Sequence, residues 1–78
     1  MSRHFVKATV RVAGVKKAAF IVGDWDTYED TVAHMRTEQM DRILDVLMTT
    51  VAAMQCVPVD TVSADRDIVY ADSAERAL

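Results

Sequence analysis

The chain has 78 residues, of which 51% are hydrophobic and 27% are charged, with two glycines, one proline and one cysteine. A lone cysteine excludes an internal disulfide, and this hydrophobic content with a net charge of −3 excludes a disordered chain. We expect a single domain covering residues 1–78, soluble and cytoplasmic, because no stretch has the apolar length of a signal peptide or a membrane span.

The first predicted element is a β-hairpin. From His4 to Val12 apolar residues alternate with polar or aromatic ones, which is typical of a half-buried strand. Ala13-Gly14 then supplies a two-residue turn, since glycine accepts the backbone angles of tight turns. Val15 to Val22 alternates again as the second strand. Gly23 is expected to end that strand, leaving Asp24-Trp25-Asp26 as a loop.

The second predicted element is helical. Thr27 has the position of an N-cap with Asp30 three residues later, and no glycine or proline interrupts the chain from Thr27 to Gln55. One continuous helix is the preferred prediction, and a break at Arg36-Thr37, with Thr37 capping a second helix, is the alternative. Apolar residues at helical spacing dominate the second half of this segment: Met40, Ile43, Leu44, Leu47, Val51 and Met54.

The C-terminal part is predicted to add two short strands. Pro58 ends the helical region, because the residue before a proline is driven out of the α conformation. Val57 to Val62 alternates as one strand, Ser63 to Arg66 forms a turn, and Asp67 to Ala71 forms the last strand. The order β-β-α-β-β defines an α+β fold in two layers, with the helix on one face of the sheet.

The apolar part of the helix is too broad for so small a sheet to cover. A chain of this size without disulfide or zinc gains stability by oligomerisation, so we expect a homodimer, formed by the helix or by edge-strand pairing. The predicted interface consists of five helical residues: Met40, Leu44, Leu47, Met48 and Val51.

Charge is unevenly distributed along the chain. Residues 1–20 contain five of the nine basic residues and no acid, whereas all twelve acids lie in residues 21–78. Arg3, Lys7 and Arg11 share one face of the first strand. This face is interpreted as a solvated surface, as a site for an acidic protein, or as a nucleic-acid platform. The isoelectric point of about 5.1 argues against nucleic acid.

A partner surface follows from the charged strand and from the loop ahead of the helix. Trp25 lies there between two acids, either as a staple that packs on the helix or as an anchor for a partner. The acids near it are interpreted as capping and solubility residues, or as an imitation of a phosphate backbone. The residues assigned to partner binding are Arg3, Phe5, Lys7, Arg11, Lys17, Trp25, Asp26 and Asp30.

The sequence contains few residues suited to catalysis or metal binding. Cys56 is expected to be a buried, inert thiol, and neither glycine belongs to a phosphate-binding loop. Asp30, His34 and Glu38 have i, i+4, i+8 spacing, but one imidazole on an exposed helix makes a weak metal site and i, i+4 pairing is the alternative. The sequence therefore predicts no enzyme, no cofactor and no metal.

The functional expectation is a small non-enzymatic protein-binding module acting as a homodimer. A stoichiometric inhibitor or an adaptor fits best, by analogy with small inhibitors of phages and mobile elements, because such proteins need only a surface and use polarised charge for fast association. The alternatives are a nucleic-acid-associated regulator that uses the basic face of the first strand, and a structural subunit of a larger assembly.

Overall fold

A computed structural model describes residues 1–78. It contains a three-stranded antiparallel sheet in the order β2-β1-β3 and three helices, which confirms the α+β class. None of the helices has the length and apolar character needed to cross a membrane. In chain order the elements are β1 (Arg3–Val12), β2 (Val15–Trp25), α1 (Tyr28–Met35), α2 (Glu38–Gln55), a 3-10 turn (Val59–Thr61), β3 (Val62–Ala71) and α3 (Ala74–Ala77).

The predicted hairpin is confirmed, but its second strand is longer than expected. Val12 pairs with Val15 across a two-residue turn in which Ala13 and Gly14 have φ values of 49° and 82°. Two positive φ values are characteristic of the type I′ turn, which matches the twist of the strands it joins. Gly23 does not end β2, because the strand stays paired with β1 up to Trp25.

The central helical region is broken, so the preferred prediction of one continuous helix was wrong and the alternative was correct. Thr37 caps α2, its Oγ1 accepting the Met40 N–H at 3.1 Å. The Arg66 guanidinium on β3 donates to the Met35 carbonyl at the end of α1 and to Asp41 of α2, the latter at 2.7 Å. A strand distant in sequence therefore supplies a partner for the carbonyl that the break leaves free.

Only one C-terminal strand forms, not two. β3 pairs with β1 without interruption, from Val12 opposite Val62 to Arg3 opposite Ala71, so the predicted turn at residues 63–66 lies within the strand. Of the strand predicted at residues 57–62, three residues form the 3-10 turn and only Val62 belongs to a strand, β3. Charged residues misled the prediction here, because β3 is an edge strand and edge strands tolerate charge. Asp65, for example, accepts from Arg11 at 3.2 Å.

The core lies between α2 and one face of the sheet. Val10 and Val62 pack with Val51 and Ala52 of the helix, and the side chains of Val6 and Val10 are fully buried. The opposite face of the sheet carries the odd-numbered residues of β1. There the Lys7 ammonium donates to the Leu78 carbonyl at 3.2 Å, at the end of α3.

Cys56 is exposed, which contradicts the prediction of a buried thiol. It follows α2 in the left-handed conformation, with φ 56° and ψ 44°. Its N–H donates to the Ala53 carbonyl at 3.3 Å and the Val57 N–H donates to the Ala52 carbonyl at 3.1 Å, which is the Schellman pattern. The residue is therefore placed by backbone geometry, with its side chain in solvent.

We expect Cys56→Gly to stabilise the fold by about 1 kcal/mol, because glycine adopts the left-handed conformation without the Cβ clash of other residues. The matched control is Ala53→Gly at an exposed helical position, which should destabilise by about 1 kcal/mol. Urea denaturation followed by circular dichroism measures both changes. Equal effects of the same sign at the two positions would contradict the assigned end of α2.

Candidate protein-binding surface

The basic face of β1 is paired within the chain. Arg3 forms ion pairs with Asp24 and Asp26. Asp24 lies near the end of the neighbouring strand β2, and Asp26 lies just beyond that end. Arg11 pairs with Asp65 on the other neighbouring strand at 3.2 Å. Together with the contact of Lys7 to the C-terminal residue, these bonds occupy all three cations of the β1 face. The feature on which the nucleic-acid alternative depended is thus largely neutralised by internal acids.

Arg3 shows the electrostatic consequence most clearly. Its side-chain hydrogen bond to Asp24 raises the pKa of Arg3; desolvation opposes this, and the negative charges of Asp26 and Asp24 add to the increase. Because an arginine is charged at any physiological pH, this shift reflects the ion pairs and creates no titrating group. One arginine faces two carboxylates, so this end of the sheet retains one negative charge.

Positive charge remains at the hairpin end of β2. Lys16 and Lys17 are exposed and form no ion pair with any acid of the chain. Lys16 is opposite Arg11 in the strand register, and Lys17 is the extra residue of a bulge. Of the residues assigned to partner binding, Lys17 thus keeps a free charge, whereas Phe5 is buried in the sheet.

Trp25 packs on the fold and leaves little of its ring for a partner. The indole stacks on the His34 ring of α1 with a centroid distance of 4.5 Å and an interplanar angle of 15°. Its other side covers Gly23, where a Cβ atom would lie 2.5 Å from a ring carbon. The staple interpretation of Trp25 is therefore the one that the geometry supports.

Asp30, His34 and Glu38 do not form a metal site. The break at Thr37 places Glu38 on a different helix, and His34 Nδ1–H donates to the Asp30 backbone carbonyl at 2.8 Å. No group of three potential metal ligands converges anywhere in the chain. Asp30 is an exposed residue in the first turn of α1, where the helix dipole stabilises a negative charge.

Three of the five predicted interface residues belong to the core of the single chain. Met40, Leu44 and Val51 are only 3–4% exposed, because α2 turns this stripe toward its own sheet. Their assignment to an intersubunit contact is corrected on this ground. Leu47 and Met48 are half-buried at the border of the core cluster.

A second apolar flank of α2 is left open. Val46 is 65% exposed and Met54 is 75% exposed, and Ile43 is half-buried beside them. Ile43 and Met54 belong to the broad apolar stripe found in the sequence. Periodicity alone did not separate the side of α2 that contacts the sheet from the side that is exposed. The breadth of the stripe was the available signal, and the orientation of the helix on the sheet decides which flank is open.

A groove runs between this flank and β2. It has a volume of about 320 Å³, and Phe20, Leu47 and Met54 line it. Helix α2 lies over β1 and β3, so β2 is covered less, and not one residue of β2 is fully buried. Apolar side chains from both elements therefore reach solvent along one side of the molecule.

The outer edge of β2 continues this apolar surface. β2 lies at the end of the sheet, so its outer backbone groups have no strand beside them. Residues 18–23 contain no charged residue and no proline, which are two of the devices that protect an edge strand; a third device, the β-bulge, is present at Val22. We name the groove and this edge together the β2–α2 surface; its members are residues 18–23 of β2 with Ile43, Val46, Leu47, Thr50 and Met54 of α2.

Comparison of the chain with protein-family models, with curated proteins and with solved structures gave no match.

Proposed function

We propose that the protein is a non-enzymatic protein-binding module, of the inhibitor or adaptor kind, and that it binds through the β2–α2 surface. The observation that carries this proposal is an apolar groove that lies directly beside an outer strand edge without charge or proline in residues 18–23. Exposed contiguous apolar area on a small soluble domain typically marks an interaction site. An open edge adds main-chain hydrogen bonds to that apolar contact, which is the basis of recognition by strand addition.

The charge distribution supports a protein as the partner. The two arginines of β1 are held by internal carboxylates and Lys7 donates to the Leu78 carbonyl, so the sheet offers no continuous basic face to a phosphate backbone. Nucleic-acid platforms need such a face, with aromatic rings free to stack on bases. Here Phe5 is buried and Trp25 is already stacked on His34. The apolar surface is therefore the stronger candidate for recognition.

Site-specific photo-cross-linking tests the proposal. Val46 is replaced by the photo-reactive residue p-benzoylphenylalanine, and the protein is irradiated both alone and in lysate of its natural source. We expect covalent adducts with protein, because Val46 is 65% exposed on the open flank of α2, next to Leu47, which lines the groove. The adducts are identified by mass spectrometry.

The matched control places the same residue at Tyr70. Its side chain is also 65% exposed, but it lies on β3 at the far edge of the sheet. Adducts should form at position 46 and not at position 70. Equal labelling at both positions, or no protein adduct at position 46, would refute the β2–α2 surface as the binding site.

A further inference from the structure

We propose that the first partner of the β2–α2 surface is a second copy of this chain, paired through antiparallel β2 strands about a two-fold axis at Phe20. This inference rests on the proposed function and names the occupant of the same surface. The product is a six-stranded sheet in the order β3-β1-β2-β2-β1-β3, with both α2 helices on one face. Three independent features of the strands support it.

The two edges of the sheet differ in their protection. β3, at one edge, carries three consecutive charged residues in its middle, Asp65, Arg66 and Asp67. β2, at the other edge, has charges only near its ends, and its middle reads Ala-Ala-Phe-Ile-Val-Gly. Charges on an edge strand discourage pairing with another chain. We therefore expect a strand from a second chain to pair with β2 and not with β3.

The charges of β2 are complementary to those of an antiparallel copy. Lys16 and Lys17 lie at its start without ion pairs, and Asp24 lies near its end in a cluster that retains one negative charge. An antiparallel two-fold brings the basic end of each strand against the acidic end of the other. A parallel arrangement would instead place like charges together, which is unfavourable.

The direction in which each β2 side chain projects is consistent with a two-fold axis at Phe20. Opposed residues of an antiparallel pair project on the same face. The register with β1 places Lys16 beside Arg11 and Asp24 beside Phe5, so both project on the face away from α2. The pairing therefore matches Phe20 with the partner's Phe20, Ala19 with the partner's Ile21, Ala18 with the partner's Val22, and Lys16 with the partner's Asp24.

Two-fold pairing also closes the assembly. Both β2 edges are used in the contact, and the dimer ends on two β3 edges that carry charge. A closed isologous contact of this kind gives a dimer and no fibre. The two grooves then lie side by side on the helix-bearing face, where Phe20 from each copy approaches the two-fold axis.

Sedimentation velocity over a concentration series tests the proposal. We expect the wild type to have twice the 8.7 kDa mass of the chain. Ile21→Lys places a charge in the seam without touching the core beneath α2, and should weaken the dimer by about 100-fold. Val69→Lys is the matched control, because Val69 is a half-buried residue on the same face at the opposite edge, and it should leave the dimer unchanged.

Charge reversal tests the direction of pairing. Lys16→Glu should weaken the dimer, because it faces the partner's Asp24. Adding Asp24→Lys to the same chain should restore association, since each swapped end again meets its opposite. Failure of this rescue while Ile21→Lys still disrupts the dimer would overturn the register centred on Phe20. Circular dichroism of each variant separates loss of association from loss of fold.

Amide hydrogen exchange locates the contact. Exchange at residues 18–22 should slow as protein concentration rises, while exchange on β3 stays constant. A dimer with protection elsewhere, or a monomer at every concentration, would overturn this inference. The proposed function would survive a monomer if position 46 still cross-links to a different protein, and it would fail if no protein adduct forms there.

Discussion

Leu44→Ala should destabilise the chain by about 3 kcal/mol, because the deleted atoms leave a cavity that the core fills only partly. Leu44 is 3% exposed and lies in the layer between α2 and the sheet. Domains of this size have a total stability of only about 5 kcal/mol, so this substitution alone should lower the denaturation midpoint by roughly half. Urea unfolding monitored by circular dichroism gives the value.

Val46→Ala is the control for this prediction. Val46 lies two residues further along α2 but is 65% exposed, so its truncation should change the free energy of unfolding of the monomer by less than about 0.5 kcal/mol. The pair therefore measures which flank of α2 faces the sheet. A large effect at Val46 with a small one at Leu44 would show that the helix is rotated from the orientation described here.

Gly23→Ala should displace the side chain of Trp25, the only tryptophan of the chain. A Cβ atom at this position would lie 2.5 and 2.8 Å from two carbons of the Trp25 ring, so the ring must move away from the strand. The movement also costs the stacking on His34. We expect a loss of about 2 kcal/mol, typical of overpacking, together with a red shift and a change in intensity of the tryptophan emission.

Two controls separate this steric effect from backbone effects. Gly14→Ala meets no atom within 4 Å but sits at φ +82°, so it should destabilise through backbone strain and leave the emission unchanged. In a Trp25→Leu background the ring is gone, and Gly23→Ala should then lose most of its cost. An unchanged cost in that background would show that the ring is not the cause.

Local signals in the sequence were sufficient for the elements whose structure depends on near neighbours. The Ala13-Gly14 turn and the Thr27 cap formed as predicted, because each is set by residues within four positions of itself. The alternation of β1 was read correctly, since a strand in the centre of a sheet must be apolar on the side that is buried.

Two of the errors share one physical origin, which is that long-range partners override local preference. The charged run at residues 63–66 became strand because β1 lies beside it and offers Arg11 to Asp65. The helix break at Thr37 gains support from Arg66, thirty-one positions away from the Met35 carbonyl that it binds. Neither contact can be found from local propensity.

The candidate binding surface could also be predicted only in part from the sequence. Composition and the broad apolar stripe indicated that α2 carries more hydrophobic surface than one small sheet can cover, and Val46 and Met54 remain exposed. Which residues those are depended on the orientation of α2 over β1 and β3. Three predicted interface residues were therefore found in the core.

By itself the sequence determined the class of the fold, the hairpin, the helix caps and the separation of charge, because these follow from periodicity, turn chemistry and composition. Only the tertiary structure decided that β2 is the open edge, that the arginines of β1 are held by internal acids, and that one flank of α2 meets solvent. Those features depend on which strands become neighbours and how the helix lies across them, and such packing involves residues far apart in the chain.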